Sequence, residues 1–168
     1  VVSETFAYEN DLSVYEARAE VLCMPDALFA SVCDTENPQG ILAVCKKLDW
    51  DAQKVFGKEK PFLILAEELN DPGNLGTVIR TADACGADGV FLSKGSVDLY
   101  NPKVLRSTMG SLFHVPVFQN VDLQEISAKL KEKHIPLYAA HLKGDTYPYG
   151  LDLAAPCAFI IGNEARGL

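Results

Sequence analysis

The chain has no apolar run of the length needed to cross a bilayer, and its N-terminus lacks the basic-then-apolar layout of a secretion signal. A disulfide or metal frame is missing too. The five cysteines (Cys23, Cys33, Cys45, Cys85, Cys157) are odd in number and widely spaced, with no Cys-x-x-Cys pair and no histidine at zinc-ligand spacing. They read as free thiols in a reducing compartment, so a cytoplasmic protein that needs no metal and no membrane is expected. Gly-x-Gly-x-x-Gly is absent, as is Gly-Lys followed by Ser or Thr, which disfavours the dinucleotide-binding and P-loop folds. Basic charge is scarce. A net charge of −8 at pH 7 argues against indiscriminate binding to phosphate backbones, because that attraction grows with the number of Lys and Arg contacts. Any nucleic acid would need a local basic patch.

What is present is a foldable chain. Its 168 residues suffice for one packed domain, or for one domain and part of a smaller one. Hydrophobic residues at 48% exclude a disordered tail. Residues 1–48 show a short, mixed pattern, with a helical stretch near 26–33, a turn at Asn37-Pro38-Gln39-Gly40 and a strand expected over 41–45. The charged segment that follows contains Gly57, and 49–60 is expected to be a linker. After Pro61 the rhythm changes. Apolar segments at 62–67, 89–92, 115–118, 137–141 and 158–161 read as strands separated by helix-length stretches. Two of these stretches carry an apolar face: Leu75, Val78, Ile79 and Ala82 within 73–85, and Ile126 and Leu130 within 123–133. Strand and helix alternating in this way imply an α/β fold, a mainly parallel sheet with helices on both faces. Ligands of such sheets sit at the carboxyl ends of strands, which points to the loops after Glu67, His141 and Ile161.

Two segments carry polar residues at such positions. The first runs Asn70-Asp71-Pro72-Gly73-Asn74-Leu75-Gly76-Thr77-Val78-Ile79-Arg80 and on to Gly89, a strand-to-helix turn with capping residues and glycines. Arg80 and Asn74 lie early in a helix whose other face is apolar. An arginine near a helix N-terminus is disfavoured by the helix dipole, so either an anion such as phosphate or an ordinary surface ion pair accounts for it. The second is Ile160-Ile161-Gly162-Asn163-Glu164-Ala165-Arg166-Gly167-Leu168, a strand running into a polar loop bounded by glycines. By itself it reads equally as a surface loop.

Together these segments resemble the first and second signatures of the SpoU family of RNA 2′-O-ribose methyltransferases, within the SPOUT superfamily. Arg106-Ser107-Thr108-Met109-Gly110-Ser111-Leu112-Phe113-His114-Val115-Pro116-Val117, between them, also looks like the family. The resemblance covers nearly all of 61–168. Asn37 to Val44 is similar to the end of a small α/β RNA-recognition domain, like a ribosomal protein, so 1–48 would be part of that domain. The resemblance implies methylation of a ribose 2′-hydroxyl in structured ribosomal or transfer RNA, with S-adenosyl-L-methionine as cofactor. Arg80 would be catalytic, as base or as electrostatic clamp, with Asn74 and Glu164 holding it. A guanidinium stays protonated at ordinary pH, which favours the clamp chemically. The cofactor would lie against Ala140, His141, Leu142 and Gly144, and against Ile161, Gly162 and Asn163. RNA contacts would come from Lys103, Arg106 and Ser107. The family continues with a third motif that completes a trefoil knot and a homodimer contact, so the knot is expected to be incomplete over these residues and the natural protein longer. The alternative is a non-catalytic RNA-binding or assembly protein with the same fold. A small-metabolite α/β enzyme is a third reading.

Overall fold

The computed structural model describes residues 1–168 and divides into two compact units, Val1–Lys47 and Leu48–Leu168. In the first unit, strands β1 (Val2–Ser3) and β2 (Cys23–Met24) pair in parallel, and helices α1 (Glu4–Glu9), α2 (Ser13–Glu16) and α3 (Asp26–Val32) surround them. Ser3 caps α1, its Oγ accepting from the Phe6 N–H at 3.2 Å. Val2 and Phe29 supply the small core. The strand expected over 41–45 does not form. Ile41 makes a single antiparallel bridge to Val2, and Val44 is 88% exposed, because a two-residue strand offers no longer ladder to extend.

The linker expected over 49–60 is replaced by folded structure. Helix α4 (Ala52–Phe56) is capped by Asp51, whose Oδ1 accepts from the Gln53 N–H at 2.9 Å. Val55 and Phe56 are buried in the core of the second unit. Charged neighbours on both sides mask this one-turn apolar face in the sequence.

The second unit is a five-stranded parallel sheet built from β3 (Phe62–Ala66), β4 (Gly89–Ser93), β5 (Val117–Val121), β6 (Leu137–Ala139) and β7 (Cys157–Ile161), in the order β5-β4-β3-β7-β6. Helices α5 (Pro72–Ala84), α6 (Pro102–Ser107) and α7 (Leu123–Glu132) complete it, with a 3₁₀ turn at Ser111–Phe113. Side chains of a strand alternate between faces, and β3 shows the consequence. Leu63 and Leu65 pack with Phe56, Phe91 and Leu130 on one face, under α4 and α7. Ile64 and Ala66 pack with Leu75, Ile79, Val104 and Leu112 on the other, under α5 and α6. The expected α/β architecture with helices on both faces is therefore what the chain adopts. From β3 the chain steps outward to β4 and β5, then crosses to β6 and returns through β7 to lie beside β3. The strand order reverses between β3 and β7. In open α/β sheets this switch point, at the carboxyl ends, is where ligands bind.

Candidate active site

Both glycine-bounded polar segments converge on the carboxyl ends of β3 and β7. Asp71 caps α5, its Oδ1 accepting from the Asn74 N–H at 2.8 Å, and Pro72 occupies the first turn, where a missing N–H costs nothing. Glu164, from the loop after β7, reaches this helix end. Its Oε1 accepts from Asn74 Nδ2 at 3.1 Å and from the Asp71 N–H at 3.4 Å. Hydrogen bonds from its own backbone N–H and then from Asn74 hold the Glu164 carboxyl below the usual carboxylate range. Asn74 and Glu164 thus meet across 90 residues of sequence.

The loop that presents Glu164 is closed on itself. The Asn163 N–H donates to the Gly167 carbonyl at 3.1 Å and the Gly167 N–H donates back at 2.9 Å. Asn163 Oδ1 accepts from the N–H groups of Ala165 and Arg166, while its Nδ2 donates to the Glu68 carbonyl at 2.7 Å. A Cβ on Gly162 would overlap the Gly167 backbone, so only glycine fits. Asn163 also fixes Glu68, which sits at φ 47° just beyond β3 and pairs with Arg166 at 3.4 Å. Glu68 was not singled out in the sequence, because nothing local signals a left-handed glutamate.

Arg80 is placed differently from expectation. It is the ninth of the thirteen residues of α5, beyond the first turn where the helix dipole acts, so the dipole gives no reason for an anion there. It is exposed and joins no ion pair or hydrogen bond, with Asn74, Glu164 or any other residue. Gly76, Arg80 and Asp83 recur at the i, i+4, i+7 spacing of one helix face. Ser107 seals the Gly76 end: its hydroxyl lies 3.0 Å from the Pro72 carbonyl oxygen and 2.9 Å from that of Val104, and a Cβ on Gly76 would collide with it. Ser107 is half-buried, and its hydroxyl secures α6 to α5. Lys103 and Arg106 are exposed on α6. At the other end of the face, His114 Nδ1 lies 3.0 Å from Asp83 Oδ2. This bond, with a second from Ser111, lowers the Asp83 pKa.

The expected cofactor-binding residues fall into two groups. Ala140, His141, Leu142 and Gly144 form an exposed turn after β6, in which His141 Nδ1 accepts from the Lys143 N–H at 3.0 Å and the Gly144 N–H donates to the His141 carbonyl at 2.9 Å. The Leu142 side chain stands fully in solvent, an apolar surface next to backbone. Ile161 and Gly162 are half-buried, and the Asn163 side chain is engaged by its own loop and by the Glu68 carbonyl.

The sequence model of the SpoU rRNA Methylase family matches residues 61–168. The chain belongs to that family. It is 37% identical over 153 residues to the 23S rRNA (guanosine(2553)-2′-O)-methyltransferase RlmP of Bacillus subtilis, which covers 91% of this chain and 59% of that protein. Among solved structures, the SpoU methyltransferase AviRb of Streptomyces viridochromogenes superposes with a TM-score of 0.82 at 26% identity, over 99% of this chain and 65% of that one. An AdoMet-bound rRNA methyltransferase of Sinorhizobium meliloti gives 0.82 at 25% identity, over 99% and 64%. The chain thus spans less than two thirds of each of these relatives. The Asn74–Glu164 junction lies within the matched residues and joins two segments far apart in sequence.

Proposed function

We propose that this chain transfers a methyl group from S-adenosyl-L-methionine to a ribose 2′-hydroxyl of structured RNA, ribosomal or transfer, acting in the cytoplasm as a homodimer, with 1–47 as part of an RNA-recognition domain. The observation that carries this is the hydrogen-bonded junction of Glu164 with Asn74 and the Asp71 N–H at the β3–β7 switch point. It assembles the carboxylate, amide and helix end of two segments far apart in sequence. Relatives named as rRNA 2′-O-methyltransferases and an AdoMet-bound neighbour of the same fold support the reading.

S-adenosylmethionine, when bound, supplies a methyl group activated by a positive sulfur. Ala140, His141, Leu142 and Gly144 would hold it with Ile161 and Gly162, while Asn163 keeps the β7 loop rigid. The Arg80 guanidinium stabilises negative charge as it develops on the ribose oxygen. Asn74 and Glu164 keep the start of α5 in register with the β7 loop, so that Arg80 is presented from a fixed helix. Much of the acceleration then comes from positioning.

The test is transfer of a labelled methyl group into ribosomal or transfer RNA, followed by alkaline hydrolysis, since a 2′-O-methyl group blocks cleavage of the adjoining linkage. Label in alkali-resistant dinucleotides is the expected result. Tight RNA binding with no label would instead favour the non-catalytic RNA-binding reading, which the separation of Arg80 from Asn74 and Glu164 keeps in view.

A further inference from the structure

The segment from Ser107 to His114 runs along the Gly76–Arg80–Asp83 face of α5, fixed at one end by Ser107 and at the other by His114. Thr108 and Leu112 within it are buried, and the Thr108 hydroxyl donates to the Leu105 carbonyl at 2.8 Å. Met109 and Phe113 nevertheless point outward, 77% and 60% exposed. Their exposure does not come from a loose loop. Met109 and Gly110 hold consecutive left-handed backbone conformations, φ 51° and 92°, which a methionine adopts only where its surroundings impose it. The charge of the neighbourhood is just as unusual. No Asp or Glu occurs between Asp98 and Asp122, the longest acid-free run of a chain with net charge −8, and Lys103 and Arg106 fall inside it, while His114 at its end is paired with Asp83 of α5. Arg80 adds a third basic group from α5.

We propose that the Met109–Phe113 ridge receives an unstacked base of the RNA, next to the nucleotide whose ribose Arg80 addresses. This rests on the methyltransferase reading for the identity of the reaction. Its own basis is the rigidly presented apolar ridge and the positive charge around it. Aromatic faces accept any unpaired base by stacking, whereas base faces inside a duplex are already covered. Basic groups flanking the ridge complement the phosphates on either side of such a base, and the acidic remainder of the chain repels RNA elsewhere. The ridge therefore selects a looped-out or single-stranded target.

The experiment compares binding of a fluorescein-labelled ten-nucleotide oligouridine with that of a blunt RNA duplex of equal length, at low salt. Phe113→Ala is expected to weaken single-strand binding about tenfold, leave duplex binding unchanged and leave the melting temperature unchanged. Phe113→Trp should restore binding, and its fluorescence should be quenched on titration. Equal binding by Phe113→Ala and the parent chain overturns the proposal, as does a dimer-to-monomer shift in Phe113→Ala without loss of RNA binding, which would assign the ridge to self-association. Absence of single-strand binding by the parent chain overturns it too. Methyl incorporation into ribosomal RNA by the same preparations separates the two ideas. Incorporation with no effect of Phe113→Ala refutes the ridge alone, while Phe113-dependent binding without incorporation refutes the methyltransferase reading and supports the ridge.

Discussion

The two halves of helix α5 are built to opposite rules. At its amino end Asp71, Asn74 and Glu164 share hydrogen bonds, and Asn163 and Gly167 lock the loop that brings Glu164 in. In its middle Arg80 stands exposed and unpaired, and Met109 and Phe113, in the segment that runs from Ser107 to His114, are exposed as well. A polar cluster that satisfies itself fixes geometry but has little left to offer a ligand. A charged group without a partner on a rigid helix costs little in water and is free to act. The motif residues therefore divide into those that hold and those that reach, a division their common presence in one signature does not reveal.

This contrast can be broken at several points. Gly76→Val should do most damage, because even a Cβ there lies 2.8 Å from the Ser107 carbonyl carbon and overlaps its side chain. Overpacking of this kind costs roughly 1–3 kcal/mol, read as a lower urea midpoint at unchanged slope. Asp71→Ala removes the cap of α5 and should cost about 1 kcal/mol in the same measurement, whereas Asp71→Asn should cost far less. Asn74→Ala should raise the Glu164 pKa towards the ordinary carboxylate range, which ¹³C NMR of the carboxyl carbon would follow in a pH titration. The sign follows from the lowered pKa of Glu164 in the folded chain. Its stabilising contribution is present above the ordinary carboxylate range and disappears as pH falls through the lowered value, so Asn74→Ala should narrow the pH dependence of stability at its acid end. Arg80→Ala should be the mildest, within about 0.5 kcal/mol of the parent, because it joins no ion pair or hydrogen bond that could be lost.

The sheet was legible because its central strands β3 and β4 are largely buried and read as continuous apolar runs, Phe62 to Ala66 being the clearest. Alternating helices then set its class. Helix α4 escaped because Val55 and Phe56 make only one apolar turn among lysines and acids, and burial there depends on Phe91 and Leu130, distant in sequence. Ile41 to Cys45 has the composition of a strand, but strand formation also requires a partner edge. At the site, glycines and polar residues marked two loops that the fold brings together through the hydrogen bond of Asn74 to Glu164. The inward commitment of Ser107 and Asn163 was hidden, since a hydroxyl or amide looks the same in sequence whether it faces a ligand or a neighbouring carbonyl. Asp83 and His114 went unpaired in the sequence for a related reason: only folding brings the end of α5 beside the turn that precedes β5.

The division between holding and reaching is tested most directly by measuring methyl transfer to ribosomal RNA and thermal stability together for Arg80→Ala. Transfer reduced on the order of 10²–10³-fold with an unchanged melting curve is expected, the size of effect that follows removal of a group stabilising charge in a transition state. Transfer at the parent rate, or a loss of transfer that merely tracks a loss of folding, would contradict the assignment of Arg80 as the acting residue of α5.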